Sequence, residues 1–430
     1  MHIFFSGIGG TAIGPLAQIA KQSGHEVSGS DKQASQYIAY LKSHGLDDIH
    51  IGQTREQIAK DHARRAIDWY VYSSAVTIEQ PDSPELVFCR ENNIKTSKRD
   101  ELLNEVLHEK KLKLVAVAGT HGKTTTTAMV VWLFKQLDLP LSYSVGAKIS
   151  FGDMGEYHTN SQFFAYEADE FERNFLKFQP HLSLISGVSY DHHEIFKTRD
   201  DYKSAFREFI GKSERTILWH EDYEYLKLKS PANLLVQNSD QPLIELIKLK
   251  GRYNRLDAWL AVQAVHQLTK TPLAKLIEKI NNFPGMQRRL EQIAPNLYSD
   301  YAHTPEKIRG GLSAALETAD QNQKVIVVYE PLTNRRQHYM IDDYGDCFNG
   351  AAQVYWLPSY LAREDPNQRV IGPNEMINHL TGPAIAEPAR RGERLKKTIE
   401  NHLRVGNLVV CMAGGGGDSL DEWLRQEFIS

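Results

Sequence analysis

The chain has 430 residues, 50 Lys+Arg against 54 Asp+Glu, a formal net charge of −4, and 41% hydrophobic and 24% charged residues. That length suits two or three domains, and the slightly acidic balance argues against nucleic acid or an anionic membrane as main partner. Cys89, Cys347 and Cys411 lie too far apart for a disulfide framework or a metal spacing, and no run approaches the ~20 apolar residues of a membrane span, so a soluble protein of the reducing cytoplasm is expected.

The first element is a strand, His2-Ile3-Phe4-Phe5, which runs into Gly7-Ile-Gly9-Gly10-Thr11-Ala-Ile-Gly14 and then an alanine-rich helical pattern from Leu16 to Lys21. A strand, a glycine turn and a helix N-terminus form an anion cradle. The spacing departs from G-x-G-x-x-G, so it indicates a bound diphosphate or a plain turn, with Asp31 where an acidic ribose partner would fall. Strands at Glu26–Asp31 and Asp68–Ser74 follow, and the alternation implies a parallel α/β sheet. The polar segment Glu105–Lys113 reads as a divider.

Behind it, Val115-Ala-Val-Ala-Gly119-Thr120-His121-Gly122-Lys123-Thr124-Thr125 is a β-branched strand, a glycine loop and the start of a helix. Lys123 would reach β/γ-phosphates and the Thr124 hydroxyl would sit on Mg²⁺. Val117 stands where the usual phosphate loop has glycine, so this loop is a shortened variant. Strands Gln162–Glu167, His181–Ser186 and Arg215–Trp219 come next. Two of them end in acid-rich runs, Glu167-Ala-Asp169-Glu170 and Asp191-His192-His193-Glu194. Both ends fall at the carboxyl edge of a parallel sheet, beside the loop. Glu167 is the best Mg²⁺ carboxylate there, with Asp191 or His192 for a second ion. Asp169 and Glu170 read equally well as a solvated strand end. His193 and Glu194 read as structural, and adjacent His192 and His193 are poorly disposed for zinc.

Helical stretches Arg255–Thr269 and Leu273–Asn282 close this region. Tyr253, Asn254 and Asp257 at the first helix's start suit an adenine site, although a plain N-cap explains Asn254 as well. Arg288-Arg289 follows a Pro284-Gly285 turn and is either a γ-phosphate contact or a surface pair. A third α/β set has strands Asn296–Asp300, Lys324–Tyr329, Gln353–Leu357 and Asn407–Met412, the last ending in Gly414–Gly417. The architecture expected is three α/β domains in series: Rossmann-like (1–108), phosphate-loop ATPase-like (109–294) and Rossmann-like (295–430).

Taken in order, these motifs resemble the Mur ligase superfamily of peptidoglycan synthesis. The likeness rests on Gly7-Ile-Gly-Gly, Ser28-Gly-Ser-Asp31, Ser73-Ser74-Ala75-Val76, Gly119-Thr-His-Gly-Lys-Thr124, Glu167-Ala-Asp-Glu170 and Asp191-His192. It continues through Gly251-Arg-Tyr-Asn254, Arg288-Arg289, Asp300-Tyr-Ala-His303-Thr-Pro305, Glu330-Pro331 and Ala362-Arg-Glu-Asp365. The family's loop has the shorter glycine spacing seen here.

The resemblance implies that Gly7, Gly9, Gly10 and Thr11 hold the diphosphate of a UDP-sugar, with Ser30, Asp31 and Ser73 near the uridine. It implies ATP and Mg²⁺ as cofactors. Gly119, Thr120, Gly122, Lys123, Thr124 and Thr125 would hold the phosphates, and Tyr253, Asn254, Asp257, Arg289 and Asp300 would complete the nucleotide site. Thr124 and Glu167 would ligate one Mg²⁺ and His192 a second. His121 would approach the sugar, and His303 and Arg336 the incoming amino acid. The implied reaction is an amide bond between the lactyl carboxylate of UDP-N-acetylmuramate and L-alanine, through an acyl phosphate, with Lys123, His121, Glu167, His192, Arg289 and His303 as the catalytic set. Three alternatives stay open: a tripeptide acceptor, a non-catalytic UDP-sugar-binding protein, and a nicotinamide-dependent oxidoreductase built on the first glycines. Glu330-Pro331-Leu332-Thr333 stands where the alanine-adding members carry two basic side chains.

Overall fold

The computed structural model describes residues 1–429 apart from 74–75, 77–79, 193–194, 230–231, 362–366, 382–384 and 416–417. Ser74, Ala75, His193, Glu194, Ala362–Asp365, Gly416 and Gly417, singled out above, lie outside the described residues. Three sheets are present, alternating with helices. The first holds β1 (His2–Ser6), β2 (Glu26–Asp31), β3 (Ile49–Ile51), β4 (Trp69–Tyr72) and β5 (Lys95–Lys98) in the order β3-β2-β1-β4-β5, all parallel.

The second holds β6 (Lys113–Ala118), β7 (Ser142–Ser144), β8 (Gly155–Glu156), β9 (Phe163–Glu167), β10 (Leu182–Ile185), β11 (Thr216–Trp219) and β12 (Leu234–Gln237), ordered β12-β11-β10-β6-β9-β7-β8 with only β8 antiparallel. The third holds β13 (Glu291–Ala294), β14 (Leu297–Asp300), β15 (Val325–Glu330), β16 (Gln353–Trp356), β17 (Ile385–Pro388) and β18 (Leu408–Ala413), ordered β13-β14-β18-β15-β16-β17 with β13 antiparallel. Every strand read from the sequence is present. Among the described residues no helix is long and apolar enough to cross a membrane.

Parallel strands covered on both faces need apolar side chains on both, hence near-continuous apolar runs. β1, β15 and β18 are buried throughout, and β6 everywhere but its first residue. Contacts divide the chain into two compact units. One comprises Met1–Pro242 and Asp257–Asn282 and carries the first two sheets; the other comprises Leu243–Leu256 and Phe283–Ser430 and carries the third.

Within the first unit a single apolar cluster runs through both sheets, from Ile3 and Phe5 of β1 to Ala116 of β6 and Phe164 of β9. Helix Arg99–Glu109 supplies Leu102, Leu103, Val106 and Leu107 to it. The polar-looking stretch from Glu105 is therefore the last turn of an amphipathic helix that cements the two sheets. A second tie is Asp153, which accepts from Gln18 Nε2 at 2.7 Å and from the Tyr40 hydroxyl. In the second unit both faces of the sheet are covered: Val327, Tyr329 and Trp356 on one side, Val328, Leu357 and Leu424 on the other.

Candidate active site

β6 delivers the chain into a loop that needs glycine at two points. Gly119 has φ +145°, and a Cβ there would lie 2.5 Å from Ser186 Oγ. Gly122 is left-handed at φ +75° and caps helix Lys123–Gln136. The loop is stitched to the segment after β10. Thr120 N donates to Gly187 O at 2.7 Å, and the Thr120 hydroxyl donates to Ser189 O at 2.7 Å and meets the Tyr202 hydroxyl at 2.7 Å. His121 Nε2 lies 2.7 Å from Ser189 Oγ, while Ser186 Oγ donates to His121 O. Thr125 is buried in the helix that follows.

Lys123 Nζ donates to Gly119 O at 2.5 Å and to Glu170 Oε2 at 2.7 Å. Burial works against its charge, but the carboxylates of Glu170, Asp169 and Glu167 outweigh burial and hold the ammonium above its ordinary pKa. Glu170 is itself buried and also accepts from the Tyr202 hydroxyl at 3.3 Å, so it is no solvated strand end. Thr124 Oγ1 donates to Glu167 Oε1 at 2.8 Å, and Gly146 N donates to the other oxygen at 3.2 Å. Asp169, Glu170 and His192 bring ligand atoms within 4.8 Å of one another. His192 has left-handed backbone, φ +55°, with its amide donating to Asp191 Oδ1 at 2.7 Å. Burial tends to raise the Asp169 pKa, yet Lys123, Arg99 and His192 overcome it and hold it below the usual value.

These residues fit a Mg²⁺–nucleotide. The helix N-terminus and Lys123 favour an anion, and Thr124 with Glu167 offers the hard oxygen pair that Mg²⁺ prefers.

The first glycine loop has another character. Gly7 N and Ile8 N both donate to Ser30 O, at 2.8 and 3.0 Å, and Gly10 N donates to Gly7 O at 3.0 Å. Gly9 N donates to Asp31 Oδ2 at 2.8 Å, and a Cβ on Gly9 would lie 2.9 Å from that oxygen. Ser30 is buried beneath, a Cβ on Gly7 would lie 3.7 Å from Ser73 Oγ, and Thr11 is exposed on the way into helix Gly14–Gln22. The residues expected at a UDP-sugar thus gather at the carboxyl edge of the first sheet.

Helix Arg252–Thr269 begins two residues before Asn254, whose side chain donates back to Lys250 O at 2.7 Å, so Asn254 is inside the helix and not its cap. Asp257, in the first unit, is buried against Gly122, where a Cβ would collide with its carboxylate. In the second unit Tyr253 packs on Gly310, and Arg288 donates to Gly415 O at 2.8 Å, so Arg288 is no free surface cation. Arg289 lies 4.9 Å over the Tyr301 ring. Asp300 accepts from Leu290 N at 2.7 Å; burial raises its pKa and Arg289 opposes the rise. His303 is buried with Nδ1 3.2 Å from Tyr301 O, against Gly414. Arg336 lies in helix Asn334–Met340, its amide donating to Thr333 Oγ1 at 3.1 Å.

Two residues at the first unit's site escaped the sequence reading. Tyr202 is a buried position of helix Arg199–Lys212 and carries no motif signal. Arg99 opens helix Arg99–Glu109 among ordinary surface charges, and only the fold brings it to Asp169.

The sequence and the fold both have known relatives. Residues 2–111 match the Mur ligase family catalytic domain and residues 117–242 the Mur ligase middle domain. A UDP-N-acetylmuramate–L-alanine ligase of Clostridium novyi (strain NT) is 30% identical over 449 residues, covering 96% of this chain and 94% of its own. The enzyme of that name from Alkaliphilus metalliredigens is 28% identical, with 96% and 95% covered. Among solved structures, the UDP-N-acetylmuramate–alanine ligase of Thermotoga maritima superposes with TM-score 0.77 at 24% identity, covering 100% of this chain and 98% of that one. A murein peptide ligase of Psychrobacter arcticus superposes at 0.65 with 19% identity, covering 99% of each.

Proposed function

The chain belongs to the Mur ligase family, and we propose that it joins L-alanine to the lactyl carboxylate of UDP-N-acetylmuramate at the expense of ATP, in peptidoglycan precursor synthesis. One observation carries the reading. The Gly119–Thr124 loop, with Lys123 and the Thr124–Glu167 pair, shares a continuous core with the Gly7–Gly10 loop, which supports a reading in which one body holds both the ATP phosphates and the sugar nucleotide.

The lactyl carboxylate would take the γ-phosphoryl group of ATP, with ADP leaving, and the amine of alanine would then attack the acyl carbon and expel inorganic phosphate. Bound Mg²⁺ would supply countercharge to the phosphates. Lys123, held cationic by its acidic neighbours, would neutralise charge spread over the transferring group. Thr124 and Glu167 would hold one Mg²⁺ and His192 a second. Gly119, Thr120, Gly122 and Thr125 would line the phosphates, Thr120 without its amide, which is bonded to Gly187 O. Gly7, Gly9, Gly10, Thr11, Ser30, Asp31 and Ser73 would hold the UDP-sugar, with His121 on its side of the loop. Tyr253, Asn254, Asp257, Arg289 and Asp300 keep the nucleotide roles implied by the family, and Arg336 that of an amino-acid contact. His303 is the candidate to take the proton that the attacking amine must lose. Residues 1–108, 109–294 and 295–430 are assigned to UDP-sugar, ATP and amino acid respectively, and the enzyme to the cytoplasm.

The test is ADP release from ATP with UDP-N-acetylmuramate and a panel of single amino acids and peptides. Turnover with L-alanine is expected. Turnover with a tripeptide alone would make the chain a recycling ligase, and no turnover with any acceptor would leave a binding protein.

A further inference from the structure

Arg99 follows β5 directly, at the carboxyl edge of the first sheet, and its side chain is only 18% exposed. Its nearest carboxylates stand off: Asp100 Oδ1 is 3.7 Å from Nε and Asp169 Oδ2 is 3.6 Å from a terminal nitrogen. Among the described residues its guanidinium makes no hydrogen bond. The contrast with other partly buried arginines is sharp. Arg425 closes on Glu291 at 2.6 Å, and Arg255 on Glu317 at 2.7 Å. A planar group with five N–H donors, mostly withdrawn from water and lacking a docked acceptor, is short of hydrogen bonds.

The two nearby acids are partly committed elsewhere. Asp100 accepts from the Tyr166 hydroxyl at 3.3 Å, and Asp169 from Phe171 N at 3.2 Å. Place matters as much as partners. Asp169 lies two residues beyond Glu167, which ends β9 and is bonded to Thr124 of the phosphate loop. Arg99 therefore stands where the carboxyl edge of the sugar-nucleotide sheet meets that of the phosphate-loop sheet.

We propose that Arg99 is a substrate-binding residue: its guanidinium takes the lactyl carboxylate of the nucleotide-sugar in a two-pronged pair and holds it facing the phosphate loop. The inference rests on the ligase reading and deepens it. A carboxylate suits the fork of an arginine, and the ligand carried by the first sheet must bring that group to Lys123 and Thr124.

The experiment is calorimetric titration of the full chain, wild type and Arg99→Gln and Arg99→Lys, with UDP-N-acetylmuramate, with UDP-N-acetylglucosamine (which lacks the lactyl carboxylate) and with Mg²⁺–ATP. Arg99→Gln should lose about 10- to 100-fold in affinity for UDP-N-acetylmuramate, the range expected for hydrogen bonds to a charged group. Its affinities for the other two ligands should stay within about 2-fold. Arg99→Lys should recover part of the loss, and it serves alone if Arg99→Gln does not fold. The inference is overturned if UDP-N-acetylmuramate binding is unchanged, if both sugars weaken alike, or if ATP binding weakens instead. A wild-type chain that binds UDP-N-acetylmuramate selectively through Arg99 yet turns over no acceptor would sink the ligase reading and keep this one. A wild-type chain that binds neither sugar overturns both.

Discussion

The first unit contains two strand–glycine–helix junctions with opposite electrostatics. At the Gly7–Gly10 junction the charged side chain on the loop is Asp31, which accepts from Gly9 N at 2.8 Å. At Gly119–Thr124 it is Lys123, set among Glu167, Asp169 and Glu170. Both junctions bring a helix N-terminus to the carboxyl edge of their sheet, but at the first the amides of Gly7, Ile8, Gly9 and Gly10 are already bonded within the loop. The first has its shape fixed by an internal carboxylate, and among the described residues its glycine loop holds no lysine or arginine, which suits binding without chemistry. The second gathers a cation, a hard oxygen pair and a histidine, which suits phosphoryl transfer. On the proposed reading, the same backbone device serves binding at one junction and phosphoryl transfer at the other, according to the charge set beside it.

Removing the cation should separate the two most clearly. Lys123→Ala is expected to cut ADP release by about 10²- to 10³-fold, the scale of losing one transition-state donor, while UDP-N-acetylmuramate affinity stays within about 2-fold by calorimetry. Equal loss of both would mean that the loops are coupled and the contrast is false. Next in size is Glu167→Gln. It keeps the shape and an acceptor for Thr124 Oγ1 but removes a metal-binding charge. The Mg²⁺ concentration for half-maximal activity should rise about 10-fold or more, again without effect on the first junction.

How far these junctions could be read from sequence follows from their physics. Strands buried on both faces, such as β6 and β15, announce themselves by unbroken apolar runs, and the glycine loops by their spacing. β5 reads Lys-Thr-Ser-Lys, and β12 and β17 are short edge strands with half-exposed residues, so no pattern marks them. The same holds at the site. Lys123, Thr124 and Glu167 lie in motifs, whereas the burial of Glu170 against Lys123 and Tyr202 is a tertiary fact. Glu105 to Lys113 reads as a divider because its charges outnumber Val106, Leu107 and Leu112, yet those three residues fill the core shared by both sheets.

A smaller effect would sharpen the account of the first junction. Asp31→Ala leaves Gly9 N without its acceptor, a loss of about 1 kcal/mol by analogy with a helix cap. UDP-N-acetylmuramate affinity should fall about 5-fold with the KM for ATP unchanged. Asp31→Asn keeps an acceptor and should stay within about 2-fold of wild type. If Asp31→Asn behaves like Asp31→Ala, the charge itself matters and the carboxylate is doing more than shaping the loop.

The smallest expected effect bears on how the second junction is propped. Thr120 hangs on Gly187 O, and the next residue, Val188, donates its amide to Asp222 Oδ1 at 2.8 Å. Asp222 is buried, and burial pushes its carboxyl up to about 7, only partly offset by the Val188 amide. A folded-state pKa above the unfolded one means that the folded protein holds this proton longer. Stability from this group is therefore fully present below its ordinary value near 3.8, declines as pH rises, and levels off above about 7. Asp222→Asn keeps an acceptor for Val188 N and cannot ionise. In urea unfolding it should match wild type at acid pH and exceed it at about pH 8. A difference between the two proteins that is flat with pH would mean that Asp222 is already ionised in the fold, with Val188 N–H paired to a charged carboxylate. The prop beneath the phosphate loop would then be as firmly charged as the cluster around Lys123.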